Sequence, residues 1–225
     1  MRLRKSTVAL ILLAVAGVAG AAAEVIVEDW SSQSVGATGL PAGWQAQNWG
    51  TPHYERFSIV DDNGRHALLM KSVNDASTIN KEIRGKVHVK ETPLLEWEWK
   101  AVVLPKGANS CKKSTDDQAA QVFVLWPRFP QEVRSRIIGY VWDTTQPVGT
   151  ICKSEKTGMV TYVVVRSGTA ELNQWLTERR NVVEDFKRIY GETPDDPAVL
   201  SVATDSNDTN ASSEAMIGAI RFKSP

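Results

Sequence analysis

Two glutamates on one short segment open the chemical possibilities of this chain. Glu96 and Glu98 lie in LLEWEWKAVV, where charged and apolar residues alternate. As a strand, the segment puts Glu96, Glu98 and Lys100 on one face and Leu95, Trp97, Trp99 and Ala101 on the other. The strand rise then separates the two glutamate Cα atoms by roughly 6.5–7 Å, within the range of carboxylate pairs in glycoside hydrolysis. Lys100 on the same face supports a plainer reading, a solvated surface with cross-strand ion pairs. The tryptophan face belongs in a core.

Other polar groups stand where a ligand could use them. Asp116-Asp117-Gln118 runs directly into an apolar segment, so Asp117 could offer oxygens to sugar hydroxyls or to a cation. Ser114, Thr115 and Asp116 read equally well as turn formers. Asp205-Ser206-Asn207-Asp208-Thr209 begins like a calcium loop. It has Asn210 where that loop needs glycine and Met216 where it needs an acid.

Arg166 shares its strand face with Val160, Tyr162 and Val164. An arginine in such company is either a structural partner of Asp116, Asp117, Glu178 or Asp185, or a fork that orients a hydroxyl-rich or carboxylated ligand. Tyr140 and Trp142 alternate with Val141. If Val141 points inward, the two rings form an outer aromatic surface able to stack on a sugar ring; otherwise they are core. With Trp175, the ligand-binding candidates are Asp117, Tyr140, Trp142, Arg166 and Trp175.

Nucleophile chemistry has little to build on. His53, His66 and His88 lie in or beside strands and turns, away from any Ser or Cys motif. The chain contains no G-x-S-x-G, H-E-x-x-H, Walker or G-x-G-x-x-G pattern, so no cofactor and no metal set is expected. Cys111 and Cys152 are the only cysteines, both in polar, turn-rich segments. A disulfide tying two neighbouring loops is the first reading for an exported chain; two free thiols or a metal pair are the alternatives.

Export itself is expected from the first 23 residues. Arg2, Arg4 and Lys5 precede an uncharged apolar run, and Ala21-Ala22-Ala23 supplies a small-residue cleavage site. The run is shorter than a bilayer-spanning helix needs and fits a cleavable signal, predicting a periplasmic or secreted protein without membrane insertion. Residues 24–225 are then expected to form one domain. Losing three basic residues leaves that domain slightly acidic, with no electrostatic case for nucleic acid.

The elements positioning these groups read mainly as strands. Segments such as Ala67–Val73, Ser77–Ile83, Ala119–Trp126, Ile137–Trp142, Val160–Arg166 and Val199–Asp205 are rich in β-branched and aromatic residues. Turn chemistry separates them, as at Asp61-Asp62-Asn63-Gly64 and Pro105-Lys106-Gly107. Glu24–Trp30, His53–Val60, Leu94–Leu104 and Ala215–Phe222 complete an antiparallel β-sandwich or jelly roll. One amphipathic helix is predicted over Asn181–Tyr190, with Gly191 as its C-cap.

LEWEWK, DDQAAQVFVLW, IGYVWD, VVRSG, the W-x-x-E-x-R-N-V-x-x-D-F-x-x-x-Y-G-E-x-P run and TDSNDT follow one another in this order. That succession resembles a family of exported bacterial proteins classed as a domain of unknown function. The resemblance implies a jelly-roll sandwich like lectins and carbohydrate-binding modules, and brings no catalytic residues. The family's last motif reads D-x-D-N-T; here Asn207 replaces the middle acid, which argues against a metal role. Three functions follow as expectations: a binding module for a carbohydrate or similar polar ligand, a glycan hydrolase or lyase using Glu98 and Asp117, or an envelope interaction protein.

Overall fold

The computed structural model describes residues 23–47 and 50–225. The expected signal segment therefore lies, except for Ala23, outside the described residues, as does Trp49. In chain order the strands are β1 (Glu24–Glu28), β2 (Gln45–Gln47), β3 (Phe57–Asp61), β4 (His66–Val73) and β5 (Ala76–Glu82). Next come β6 (Leu94–Val103), β7 (Ala120–Trp126), β8 (Arg136–Asp143) and β9 (Ile151–Lys153). The last are β10 (Val160–Ser167), β11 (Leu176–Asn181), β12 (Val199–Asp205) and β13 (Ser212–Lys223). Two α-helices, α1 (Gln131–Arg134) and α2 (Val182–Tyr190), interrupt them.

Among the described residues these strands form two sheets. The six-stranded sheet runs β11-β6-β13-β4-β3, with β1 paired to the far end of β13; the seven-stranded sheet runs β2-β5-β12-β7-β8-β10-β9. The expected β-sandwich with one sizeable amphipathic helix is what forms. Strict period-2 alternation explains β6: Leu95, Trp97, Trp99 and Ala101 are fully buried while their neighbours are half-buried. Its tryptophans meet β8 across the sandwich, Trp97 against Tyr140 at 5.3 Å and Trp99 against Trp142 at 5.8 Å between ring centroids. Each such ring buries enough area to be worth about 4–6 kcal/mol of gross transfer free energy.

Helix α2 follows its sequence signals closely. The Asn181 side chain accepts from the Val183 and Glu184 N–H groups at 3.1 and 3.2 Å, and Gly191 closes the helix at φ 72°. Its apolar stripe packs Phe186 against Trp126, centroids 4.7 Å apart. Asp185 reaches inward, accepting from the buried Tyr140 hydroxyl at 2.9 Å and pairing with Arg180. That contact joins the helix to the core of the seven-stranded sheet.

Several expectations need correction. One pair, β8 with β10, is parallel; the other strand pairs among the described residues are antiparallel. The expected strand over His53–Val60 begins instead with a 3-10 turn at Tyr54–Arg56, where the Tyr54 hydroxyl has the Thr78 and Gln47 carbonyl oxygens at 2.8 and 2.9 Å to share its one proton. Strands β2 and β9 are three residues long and carry too little pattern to read. Strand β11, LTERRN, lacks apolar alternation because its one buried residue is Glu178.

Candidate functional site

A second apolar cluster covers the outer face of the seven-stranded sheet, away from the main core. Phe123, Ile137, Val141, Val160, Tyr162, Val164 and Ala203 form it. It exists because β7, β8 and β10 carry apolar residues on both faces, so alternation buries one set inside and leaves the other outside. Gly139 lets the floor close. A Cβ there would meet Phe123 Cε1 at 2.6 Å and Tyr162 Cδ1 at 3.1 Å, so the two rings occupy space a side chain would fill.

Over this cluster opens a cleft of about 290 Å³, at the small end of ligand sites. Phe123, Met159, Tyr162 and Ala203 supply its apolar surface. Its polar rim comes from three loops: Asp116 before β7, Ser154 to Thr157 after β9, and Asp205 with Asn207 at the end of β12. Gln121 and Thr78 add side chains from the sheet itself.

The acids in this rim are held in different states. Asp116 accepts from Gln118 Nε2 at 2.8 Å, Ser154 Oγ at 3.2 Å and the Tyr162 hydroxyl at 3.3 Å. Burial nevertheless pushes its carboxyl up to about 6. Asp205 is pushed further, to about 8, first by burial and then by the charge of Asp117. Burial opposes the charge on Lys156, but its ion pair with Asp208 and the charges of Asp205 and Asp116 raise it above the ordinary lysine value. The Tyr162 hydroxyl is raised well above the tyrosine range by burial and by Asp116. Near neutral pH the rim thus presents a carboxylate, a protonated acid and a paired ammonium within one cleft.

The residues singled out from sequence land in different places. Tyr140 and Trp142 are fully buried, which corrects the outward aromatic face. Val141 faces the outer cluster and is itself buried, so both faces of β8 are covered and neither ring can touch a ligand. Asp117 is also fully buried: it accepts from the Asp208 N–H at 3.0 Å, the Thr209 N–H at 2.7 Å and the Thr209 hydroxyl at 2.6 Å. It builds the turn at the cleft rim, while Asp116 lines the cleft itself. The Asp205–Thr209 segment is therefore folded around Asp117, and among the described residues no group of three His, Cys, Asp or Glu is placed to hold a metal ion.

Arg166 is diverted by a bulge in the β8–β10 pairing between Val164 and Arg166. It crosses to the other sheet, where Nε meets Glu178 Oε1 at 2.6 Å and Nη1 meets Glu171 at 2.9 and 3.0 Å. Of the partners weighed from sequence, Glu178 is the one used. Trp175 lies half-buried against Gly218 and Glu98 on the six-stranded sheet, its Nε1–H donating to Asp62 at 2.6 Å and the Arg65 guanidinium 4.7 Å from its ring. Glu98 and Glu96 sit on that same sheet, paired with Arg65 at 3.4 Å and Lys223 at 2.6 Å. The Glu98–Asp117 catalytic pair is thus not assembled, and the ligand candidates do not converge.

Phe123, Tyr162, Gln121 and Lys156 were missed, though Asp116 and Asp205 lay in motifs already noted. The available signal was the segment AQVFVLW, apolar on both strand faces. One of those faces must be covered by something other than the core. The disulfide between Cys111 and Cys152 forms as expected, and it joins the two segments that carry Asp116 and Ser154.

A model of the family described as "Protein of unknown function (DUF3047)" matches residues 42–221. No curated protein matches the chain. Among solved structures, the chain is similar to the family 30 carbohydrate-binding module of a Clostridium thermocellum cellulosomal cellulase, at 12% identity and TM-score 0.47 over 90% of this chain and 98% of that one. It is also similar to the family 11 module of cellulase Lic26A-Cel5E from the same organism, at 9% identity and TM-score 0.45 over 91% and 96%. The K2 adhesin domain of Lys-gingipain matches at 9% identity and TM-score 0.43 over 89% and 99%.

Proposed function

Because the chain belongs to the family described as "Protein of unknown function (DUF3047)", a description that assigns no activity, we propose a function from the cleft: an exported module that binds a small, hydroxyl-rich ligand of the carbohydrate class. The observation that carries this reading is an apolar, partly aromatic floor beneath a rim rich in hydrogen-bonding oxygens. Such a surface matches a sugar ring, whose C–H face is apolar and whose edge carries hydroxyls. The rim also selects by charge. With Asp205 protonated, the carboxylates of Asp116, Asp117 and Asp208 still outnumber the Lys156 cation around this rim, so neutral and amine-bearing sugars fit and acidic sugars are repelled. Export is supported by the signal segment expected at residues 1–23 and by the disulfide.

Nuclear magnetic resonance titration tests the proposal with glucose, cellobiose, glucosamine and glucuronate as probes. The expected result is saturable shifts at Phe123, Gln121 and Ser154 for the neutral and amino sugars, weaker for glucuronate and lost in Gln121→Ala. Shifts confined to the six-stranded sheet, or none with any probe, reject it. A second reading is favoured by one observation, two carboxyls raised to about 6 and about 8 in the same cleft. Glycan cleavage would use Asp116 as the ionised group and Asp205 as the proton donor. Release of reducing ends from a glycan, abolished in Asp116→Asn, distinguishes it from binding alone.

A further inference from the structure

The three loops at the cleft rim are tied to one another at their ends, and one of these ties is covalent. We propose that the Cys111–Cys152 disulfide is a redox-sensitive clamp on the cleft, opened by a dithiol donor; this inference rests on reading the cleft as the ligand site.

The argument begins with the chain on either side of the bond. Five residues after Cys111 comes Asp116, and two residues after Cys152 comes Ser154; both line the cleft. Cys152 sits in β9, a three-residue edge strand whose sheet partner is β10 alone, through Ile151, Cys152 and Lys153. So short an edge has little stability of its own. Beyond the disulfide, two hydrogen bonds join the loops: Ser154 Oγ to Asp116 Oδ2 at 3.2 Å, and the exposed Lys113 N–H to Glu155 Oε2 at 2.8 Å. Neither would hold both segments in register without the covalent link.

The base of the first loop has a separate anchor. Asp143, fully buried, accepts from the Ser110 N–H at 2.8 Å and its hydroxyl at 2.5 Å. Reduction should therefore free residues 112–115 and 152–159, while Asp117 stays tied to the Asp208–Thr209 turn and the sandwich core stays folded. The loosening is local, and it falls on the cleft.

The bond is also placed where exchange chemistry can occur. Cys111 and Cys152 are both half-buried, and Cys152 lies opposite Tyr162 on the outer face of an edge strand, where a donor can reach the bond. The thiolate is the form in which a sulfur leaves or attacks. In the reaction, a donor thiolate attacks one sulfur of the pair and the other leaves as a thiolate. The donor's second thiol then resolves the mixed disulfide. Two electrons and two protons end on Cys111 and Cys152, and the donor closes its own disulfide.

Hydrogen exchange on the oxidised protein, the dithiothreitol-reduced protein and the Cys111→Ser/Cys152→Ser variant tests the clamp without any ligand. Exchange in 112–115 and 152–159 should accelerate by at least about tenfold, with β6 and β13 unchanged. In parallel, whichever of cellobiose and glucosamine binds the oxidised protein should bind the reduced form about tenfold or more weakly. Unchanged exchange in the two segments overturns the proposal, and so does acceleration spread through β6 and β13, which would make the bond a staple of the whole fold. Equal sugar binding by both forms also overturns it. Local acceleration with no sugar bound by either form supports the clamp and rejects the carbohydrate reading instead.

Discussion

Replacing Asp205 with asparagine isolates one carboxyl and gives its charge a measurable consequence. In an unfolded chain an aspartate ionises near 3.9, whereas in this fold Asp205 does so at about 8. Between those values the folded protein holds a proton that the unfolded chain has released. Stability must then fall as pH rises, by up to about 1.4 kcal/mol per pH unit. From pH 5 to pH 8 the Asp205 share of that loss is about 3–4 kcal/mol, and it levels off above about pH 8. Asp116, raised to about 6, adds a smaller loss that ends near that pH.

Asparagine keeps the shape and cannot ionise. Its oxygen can still accept from the Asn207 N–H, a 3.3 Å contact to Asp205 Oδ1. Denaturant unfolding at half-unit steps from pH 4.5 to 8.5 should show the two proteins close in stability at the acid end. At pH 8 Asp205→Asn should be the more stable by about 3 kcal/mol. Parallel pH profiles for the two proteins would refute the reasoning, as would a wild-type protein that gains stability toward pH 8.

Two further substitutions probe the frame around the cleft. Gly139→Ala places a methyl group 2.6 Å from Phe123 and 3.1 Å from Tyr162; urea unfolding should show a loss of about 1–3 kcal/mol, and neutrality would mean the floor is not packed as described. Arg166→Met leaves the Glu178 carboxylate, about 8% exposed, without its ion-pair partner and with only the Trp99 indole N–H still donating to it; thermal unfolding should register a loss of about 2 kcal/mol, partly restored in Arg166→Lys.

Much of the architecture was readable because alternation and turn chemistry act over a few neighbouring residues. Leu95, Trp97 and Trp99 were assigned to the core from period alone, and they are there. Asn181 and Gly191 marked the ends of α2 through backbone groups they satisfy themselves. The β8 segment failed for a matching reason. Period 2 separates Tyr140 and Trp142 from Val141, but it does not say whether the second face is wet. In a central strand with apolar neighbours on both sides, neither face is.

By itself the amino-acid order determined a β-sandwich, its tryptophan-filled interior and the two cysteines available for pairing, since each depends on local periodicity or on residue type. Only the folded chain decided which acids share a cleft. Asp116 and Asp205 are 89 positions apart, and they line one cleft because β12 lies beside β7 in the sheet order. Their weakened acidity follows from burial, with the charge of Asp117 adding to it at Asp205, and those properties belong to a place in space, which no stretch of sequence carries alone.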